Sequence, residues 1–212
     1  MLLTVFGATG QVGKKIILYA IAKGHTVRAF GRNVSTLVDE DIRDDKFEAI
    51  QGSVFDKEEV NAALQGADTV LSVLGGGTDG VDKTRSLGIK IIAGQMQEAG
   101  LKRIVALGGS GVLSTRDGRF IIDQPDYPEE FLAVGREHLQ AYLNLKATTL
   151  DWTFVCAPTI KDEDATENYI TSDEFPPSPN KNVITSGDLA HFMVDEAENV
   201  QYLKKRVGIT AA

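Results

Sequence analysis

Residues 2–13 read Leu2-Leu3-Thr4-Val5-Phe6-Gly7-Ala8-Thr9-Gly10-Gln11-Val12-Gly13, an apolar segment followed by three evenly spaced glycines. Residues 14–22 then carry apolar side chains at helical spacing, so the order is strand, glycine turn and helix. In such a corner the first glycine permits a tight turn, the second lets backbone N–H groups approach a pyrophosphate, and the third lets the helix pack on the strand. The pattern predicts a dinucleotide-binding turn; a plain helix start in another α/β fold is the alternative.

The rest of the chain continues this alternation of strands and helices. Apolar runs predict strands at 2–6, 26–30, 47–51, 69–74, 103–107 and 152–156, and helices at 11–23, 57–65, 82–99, 129–146 and 187–198. Such alternation indicates parallel strands joined by right-handed crossovers, with helices on both faces. We therefore expect an α/β, Rossmann-type doubly wound parallel sheet in three layers, formed by residues 1–212 as a single NAD(P)-binding domain.

One segment departs from this rhythm. Residues 161–182 are first acidic and then proline-rich. In an α/β sheet, chain inserted after a strand lies over the carboxyl edge, where ligands bind. We expect residues 157–186 to form a loop or lid region at that edge, partly as a hairpin; a loop without regular structure is the alternative.

The composition limits the class of protein. The chain has 212 residues and a net charge of −8, without the basic stripe that a nucleic-acid surface needs. The single cysteine, Cys156, cannot form an internal disulfide, and the three histidines lack the spacing of metal ligands. No apolar run is long enough to cross a bilayer. We expect a cytoplasmic protein with no metal, no nucleic-acid partner and no membrane partner.

The end of the second predicted strand indicates which dinucleotide binds. NAD-specific sites usually place Asp or Glu there to accept from the ribose hydroxyls. This chain has no acidic residue between Gly7 and Val38, and offers Arg32 with Ser35 nearby. A guanidinium forks onto phosphate oxygens, so Arg32 suits the 2′-phosphate of NADP. NADP is the expected cofactor and NAD the alternative, in which case Arg32 only ends the strand in solvent.

Three further segments should contact the cofactor. Ser53 and Val54 follow the third strand near the adenine, and the glycines after the fourth strand leave room for the cofactor to pass close to backbone. The alternative is that the glycines after the fourth strand only form a turn. The predicted cofactor-binding residues are Gly7, Thr9, Gly10, Gln11, Val12, Gly13, Arg32, Ser35, Ser53, Val54, Leu74, Gly75, Gly76, Ala157 and Pro158.

Several segments together carry a family pattern: the turn at residues 6–13, Arg32, Gly66-Ala67-Asp68-Thr69-Val70, Leu150-Asp151-Trp152-Thr153 and Ile184-Thr185-Ser186-Gly187-Asp188-Leu189-Ala190. They resemble the atypical short-chain dehydrogenase/reductases, above all the NAD(P)H-binding, NmrA-like proteins and the flavin reductase/biliverdin-IXβ reductase type. The resemblance spans nearly the whole chain and implies cofactor binding without specifying a substrate. Two positions depart from it: Ser53 stands where relatives often carry Asp, and Gly108-Gly109 replaces a Ser or Thr after the fifth strand.

Many short-chain reductases use a tyrosine as general acid with a lysine four residues later. Tyr142 and Lys146 have that spacing, but Tyr142 lies about a dozen residues into its predicted helix, on the order of 18 Å from the ligand edge. Counting back from the sixth strand places the family pair at Val134 and His138, and valine has no proton to give. We interpret Tyr142 as core packing and Lys146 as a surface charge.

Ser110 is the remaining catalytic candidate near the cofactor edge. Its hydroxyl can hydrogen-bond a substrate carbonyl, although it could equally cap a turn. Hydride transfer to a flavin or quinone needs little more than stacking on the nicotinamide, because solvent can supply the proton. The leading hypothesis is an NADPH-dependent oxidoreductase acting on a flat, conjugated small-molecule acceptor. The alternatives are a non-catalytic NADP-binding redox sensor that signals through a protein partner, and then a sugar-nucleotide epimerase or dehydratase.

Overall fold

The computed structural model describes residues 1–39 and 45–212, and its elements alternate along the chain much as the sequence predicts. The strands are β1 (Leu2–Phe6), β2 (Thr26–Gly31), β3 (Phe47–Gln51), β4 (Thr69–Ser72), β5 (Arg103–Gly109), β6 (Asp151–Ala157), β7 (Thr159–Lys161), β8 (Tyr169–Asp173), β9 (Val183–Thr185) and β10 (Lys205–Ala211). The helices are α1 (Gln11–Ala22), α2 (Ser35–Asp39), α3 (Lys57–Leu64), α4 (Thr84–Glu98), α5 (Glu129–Lys146) and α6 (Ser186–Asn199).

The central sheet has eight strands in the order β3-β2-β1-β4-β5-β6-β10-β8. All neighbouring strands run parallel except β8, which pairs antiparallel with β10 at the edge. The chain moves outward in one direction from β1 to β3 and then returns to β4 on the other side of β1. This reversal creates a crevice at the carboxyl ends of β1 and β4, which is where open α/β sheets bind ligands. The predicted Rossmann-type fold is confirmed.

Two apolar cores make the structure three-layered. Successive side chains of a strand point to opposite faces, so Val5 packs beneath α1 and α6 while Phe6 packs beneath α3, α4 and α5. Ile16 and Ile17 of α1 are fully buried in the first core, and Ile92 of α4 is fully buried in the second. The helices on both faces therefore hold the sheet rigidly, and its carboxyl edge remains open.

The last third of the chain differs from the sequence-based expectation. Residues 161–182 contain β8, which pairs with β10, and β7 pairs in parallel with β9, so the expected hairpin within this segment is wrong. The strand β10 was not predicted. It begins with two basic residues, and Arg206 is buried because its Nε donates to Glu174 at 2.7 Å and its Nη1 to the Val112 carbonyl at 2.6 Å.

Candidate functional site

A cleft of about 480 Å³ lies at the carboxyl edge of the sheet, where β1 and β4 are neighbours. Its walls come from the ends of β1, β2, β4, β5 and β6 and from the turns that follow them. Of the predicted cofactor-binding residues, all line this cleft except Ser35 and Ser53. The fold therefore brings together residues that are as far apart in sequence as Gly7 and Pro158.

The three positions of the first turn are occupied by glycine for different structural reasons. Gly7 has a φ of +84°, and a Cβ built there would lie 2.4 Å from the Val73 carbonyl oxygen. A Cβ on Gly13 would lie 2.4 Å from the Gly7 carbonyl oxygen, so α1 could not seat against the turn. A Cβ on Gly10 would meet only the Gly7 oxygen, at 3.4 Å. The fold thus requires Gly7 and Gly13, whereas Gly10 leaves space on the cleft side.

The amino terminus of α1 faces this cleft without a side-chain cap. Gly10 is its N-cap, no side chain accepts a hydrogen bond from the first turn, and that turn holds no acidic residue. The first N–H groups of a helix lack intrahelical partners and carry positive potential, which favours an anion such as a pyrophosphate. Gln11, Val12 and Gly13 line the cleft at this point.

Arg32 lies at one end of the cleft, directly after β2. Its side chain is exposed and forms no ion pair with any carboxylate whose side chain the structure describes, in residues 1–37 and 45–212. Ser35, the first residue of α2, is exposed but lies outside the cleft lining. Ser53 also lies outside it: its N–H donates to Glu59 at 2.7 Å and its hydroxyl accepts from the Phe55 N–H at 3.3 Å. Val54 and Gly52 line the cleft there instead.

The loop after β4 contributes cleft residues that the sequence reasoning missed. Asp82 accepts from the Gly77 and Thr84 N–H groups, each at 2.8 Å, and Arg85 donates to the Gly77 and Gly76 carbonyls at 2.8 and 3.1 Å. The hydrogen bonds from Thr84 and then Gly77 lower the pKa of Asp82 to about 2, so it stays ionised. Asp82, Thr84 and Arg85 all line the cleft. The sequence places them at the start of a helix, and only the fold shows that this helix start faces the ligand edge.

The opposite wall is formed by the ends of β5 and β6 and by α5. Gly109 pairs in register with Ala157, and His138 of α5 lies against Gly109 and lines the cleft. Burial, and then the nearby Arg85 guanidinium, lower the pKa of His138 to about 4, so its ring is neutral at neutral pH. Ser110 follows Gly109 in a short 3₁₀ turn, half-buried and outside the cleft lining. Its catalytic role stays a prediction.

Tyr142 lies in the core, as the sequence interpretation requires. It is 3% exposed, and its ring centroid lies 5.5 Å from that of Phe154 and 5.8 Å from that of Trp152. Lys146 is exposed, with its ammonium 5.7 Å from the Tyr142 ring centroid. Cys156 is fully buried, and burial raises the pKa of its thiol, which disfavours the thiolate.

In the described part of the chain, no group of three or more His, Cys, Asp or Glu side chains could hold a metal ion. None of its helices combines the length and the apolar character needed to span a bilayer.

Comparison with known proteins identifies solved structures that share this fold. A candidate NADH-flavin reductase from Streptococcus pneumoniae TIGR4 is 28% identical, with 100% of each chain covered and a TM-score of 0.85. A candidate exported protein from Burkholderia pseudomallei is 27% identical over 99% of each chain, also with a TM-score of 0.85. A candidate epimerase from Bacteroides thetaiotaomicron is 23% identical, and the match covers 99% of this chain and 96% of the epimerase chain with a TM-score of 0.86. At that identity it shows the shared fold alone. The NAD(P)H-binding family matches residues 7–199, and the chain belongs to that family.

Proposed function

We propose that this protein is an NADPH-dependent reductase that passes hydride to a flat, conjugated acceptor of the flavin or quinone type. The observation that carries the proposal is one continuous cleft that runs from Arg32, across the uncapped amino terminus of α1, to Gly109 and Ala157. A dinucleotide laid along it would have its pyrophosphate on the helix terminus and its two ring systems at opposite ends.

Arg32 supports NADP as the cofactor rather than NAD. It lines the adenine end, where an NAD-specific site would carry a carboxylate for the ribose hydroxyls. Its guanidinium has no ion-pair partner among the side chains that the structure describes, and it could fork onto a 2′-phosphate. Ser35, the first residue of α2, is the hydroxyl predicted from the sequence to assist it.

The opposite end of the cleft suits a flat acceptor. Leu74, Leu107, Pro158 and Ile160 line it beside the two glycines at the end of β5, so the surface combines apolar contacts with open backbone. Bound NADPH would supply a hydride, and the acceptor would take a proton from solvent to complete its two-electron reduction. Neither Tyr142 nor Lys146 lines the cleft, which argues against ketone reduction and epimerisation. The similarity to the candidate NADH-flavin reductase of S. pneumoniae supports the same acceptor class.

The proposal is tested by measuring binding and turnover separately. Calorimetry should give a lower Kd for NADPH than for NADH, and NADPH oxidation should be stimulated by FMN, riboflavin or menadione. Gly10→Val is the matched control, since its side chain fills the space left for the pyrophosphate and should abolish both signals. Failure to bind either nucleotide would refute the cofactor site. Tight NADPH binding with no turnover on any acceptor would refute the reductase and favour the redox-sensor alternative, which requires a protein partner.

A further inference from the structure

His138 is a polar side chain that the protein itself leaves unsatisfied. Neither of its ring nitrogens forms a hydrogen bond within the described residues, and Nδ1 is fully buried. Buried polar groups are nearly always paired, and leaving one unpaired costs about 1–3 kcal/mol. The other buried side-chain atoms without a hydrogen bond in this part of the chain belong to His25, Ser72 and Arg103, and none of these residues lines the cleft. His138 does. Its Nδ1 is closed off from the cleft, so the unpaired Nε2, on the side of the ring nearest Gly109, is the nitrogen that a ligand in the cleft can reach.

Gly109 provides the space in which this imidazole lies. A Cβ built on Gly109 would have three nearest atoms, all in the His138 ring: Cδ2 at 3.0 Å, Cγ at 3.5 Å and Nε2 at 3.6 Å. The backbone of Gly109 has a φ of −107° and a ψ of 154°, which any residue can adopt. The glycine is therefore not needed for conformation. What its missing side chain provides is room for the ring.

The pair lies at the end of the cleft opposite Arg32. Gly109 is the last residue of β5 and pairs with Ala157 at the end of β6, and both strands contribute to the cleft wall. A dinucleotide with its 2′-phosphate on Arg32 and its pyrophosphate on α1 would bring its nicotinamide to this wall. The acceptor must stack on the nicotinamide, so it would meet the His138 ring.

Burial and the charged groups around His138 together keep its ring neutral. The Arg85 guanidinium faces it from α4, and Glu137 on its own helix is engaged by Lys83 Nζ at 2.9 Å and Ser86 Oγ at 2.8 Å. Burial and then the cationic Arg85 disfavour an imidazolium, and together they outweigh the opposing effect of the paired Glu137 carboxylate. A neutral imidazole offers one donor and one acceptor but is a poor source of a whole proton, which solvent would supply.

We propose that Nε2 of His138 hydrogen-bonds the carbonyl or ring-nitrogen group of the acceptor, and that residue 109 is glycine because the His138 ring occupies the space of its side chain. The inference rests on the proposed function for the place of the acceptor. It adds a polar contact to a wall that is otherwise apolar, and it favours acceptors with a carbonyl beside the carbon or nitrogen that receives hydride, as in flavins and quinones.

A double-mutant cycle tests the pairing of the two residues. His138→Ala and Gly109→Ala should each lower kcat/KM for menadione or FMN by at least tenfold, with the Kd for NADPH changed by less than threefold. In the His138→Ala background, Gly109→Ala should cost less than a further twofold, because the ring that it displaces is already gone. An equal loss in both backgrounds would overturn the explanation of Gly109.

Two variants of similar size separate hydrogen bonding from packing. His138→Gln should recover part of the activity and His138→Leu should not, while the unfolding temperature of His138→Leu stays at or above that of the wild type. A packing role would instead lower the unfolding temperature. His25→Leu, at the other edge of the sheet, is the control and should keep wild-type kinetics. Wild-type kcat/KM in His138→Leu would overturn the proposal.

A binding readout keeps the inference separate from the proposed function. In protein with labelled histidine and bound NADP⁺, the resonance that is missing from His138→Leu should shift when menadione or FMN is added. A shift without turnover would support the contact while refuting the reductase. No shift at saturating acceptor would overturn the contact, even if the protein oxidises NADPH.

Discussion

Gly10→Ala separates what the glycine turn does for binding from what it does for folding. The backbone at Gly10 has a φ of −76° and a ψ of 166°, which alanine adopts readily. The added methyl would meet only the Gly7 carbonyl oxygen, at 3.4 Å, an ordinary contact distance. The free energy of unfolding should therefore change by less than about 1 kcal/mol, with a small gain expected because alanine restricts the unfolded chain.

The same methyl should weaken cofactor binding strongly. It would lie between the turn and the place of the pyrophosphate, above the unpaired N–H groups of Gln11 and Val12. Losing even one charge-assisted hydrogen bond costs about 1.5–3 kcal/mol, so the Kd for NADPH should rise about ten- to a hundredfold. Isothermal titration calorimetry measures the Kd, and urea unfolding measures the stability of the same sample.

Two other glycines serve as controls for this substitution. Gly94→Ala, within α4 and with nothing within 4 Å of the added Cβ, should leave the Kd unchanged and raise stability by about 0.5–1 kcal/mol. Gly13→Ala should destabilise by at least about 1–3 kcal/mol, because its Cβ would lie 2.4 Å from the Gly7 oxygen. Wild-type affinity in Gly10→Ala would refute the reasoning, and so would a large loss of stability.

Further predictions concern cofactor choice, catalysis and pH. Arg32→Ala should raise the Kd for NADPH by about ten- to a hundredfold and barely change that for NADH; an unchanged ratio of the two constants would refute the NADP assignment. Tyr142→Phe and Lys146→Ala should each leave turnover within about threefold of the wild type, and a loss of three orders of magnitude in Tyr142→Phe would contradict its place in the core. Ser110→Ala should lower turnover about tenfold if its hydroxyl orients the acceptor, a cost of roughly 1.4 kcal/mol. The folded-state pKa of His138 is lowered to about 4, so the unfolded chain binds the extra proton first and stability should fall as the pH drops from about 6.5 to 4. Relative to His138→Leu, urea unfolding should show a loss on the order of 3 kcal/mol across that window, and a constant difference would contradict it.

The features that sequence predicts well are those encoded locally. The strand, turn and helix of residues 2–22 follow from apolar periodicity and from three glycine positions. Gly13 has a steric reason within the turn itself, whereas Gly7 combines a positive φ in the turn with a close approach to the distant Val73. Arg32 could be expected at the ligand edge because the carboxyl end of β2 has a fixed place in this fold, and it does line the cleft.

The features that sequence missed depend on contacts between distant segments. The strand β10 carries the charged Arg206, whose burial depends on hydrogen bonds to the Val112 carbonyl and to Glu174, in the segment expected to be a lid. Asp82 and Arg85, at the start of a helix, form hydrogen bonds with the glycine loop after β4, and their positions in the sequence do not reveal these contacts. In each case the fold determines which residue is the hydrogen-bond partner, and neither composition nor sequence spacing identifies that residue.

The positions of Tyr142 and Lys146 in the fold show why sequence spacing alone cannot locate a catalytic residue. Val134, the position expected for a family tyrosine, and Tyr142 are eight residues apart on α5, so they lie on nearly the same face but about 12 Å apart along the axis. Tyr142 consequently packs on Trp152, near the amino end of β6, whereas His138 lies at the carboxyl end of β5 beside Gly109. A four-residue spacing fixes the face of a helix, and only its depth relative to the sheet decides whether the side chain reaches a ligand. At the correct depth this chain carries a neutral histidine, so under the proposed function the polar contact beside the acceptor would be a hydrogen bond, and the proton would come from water.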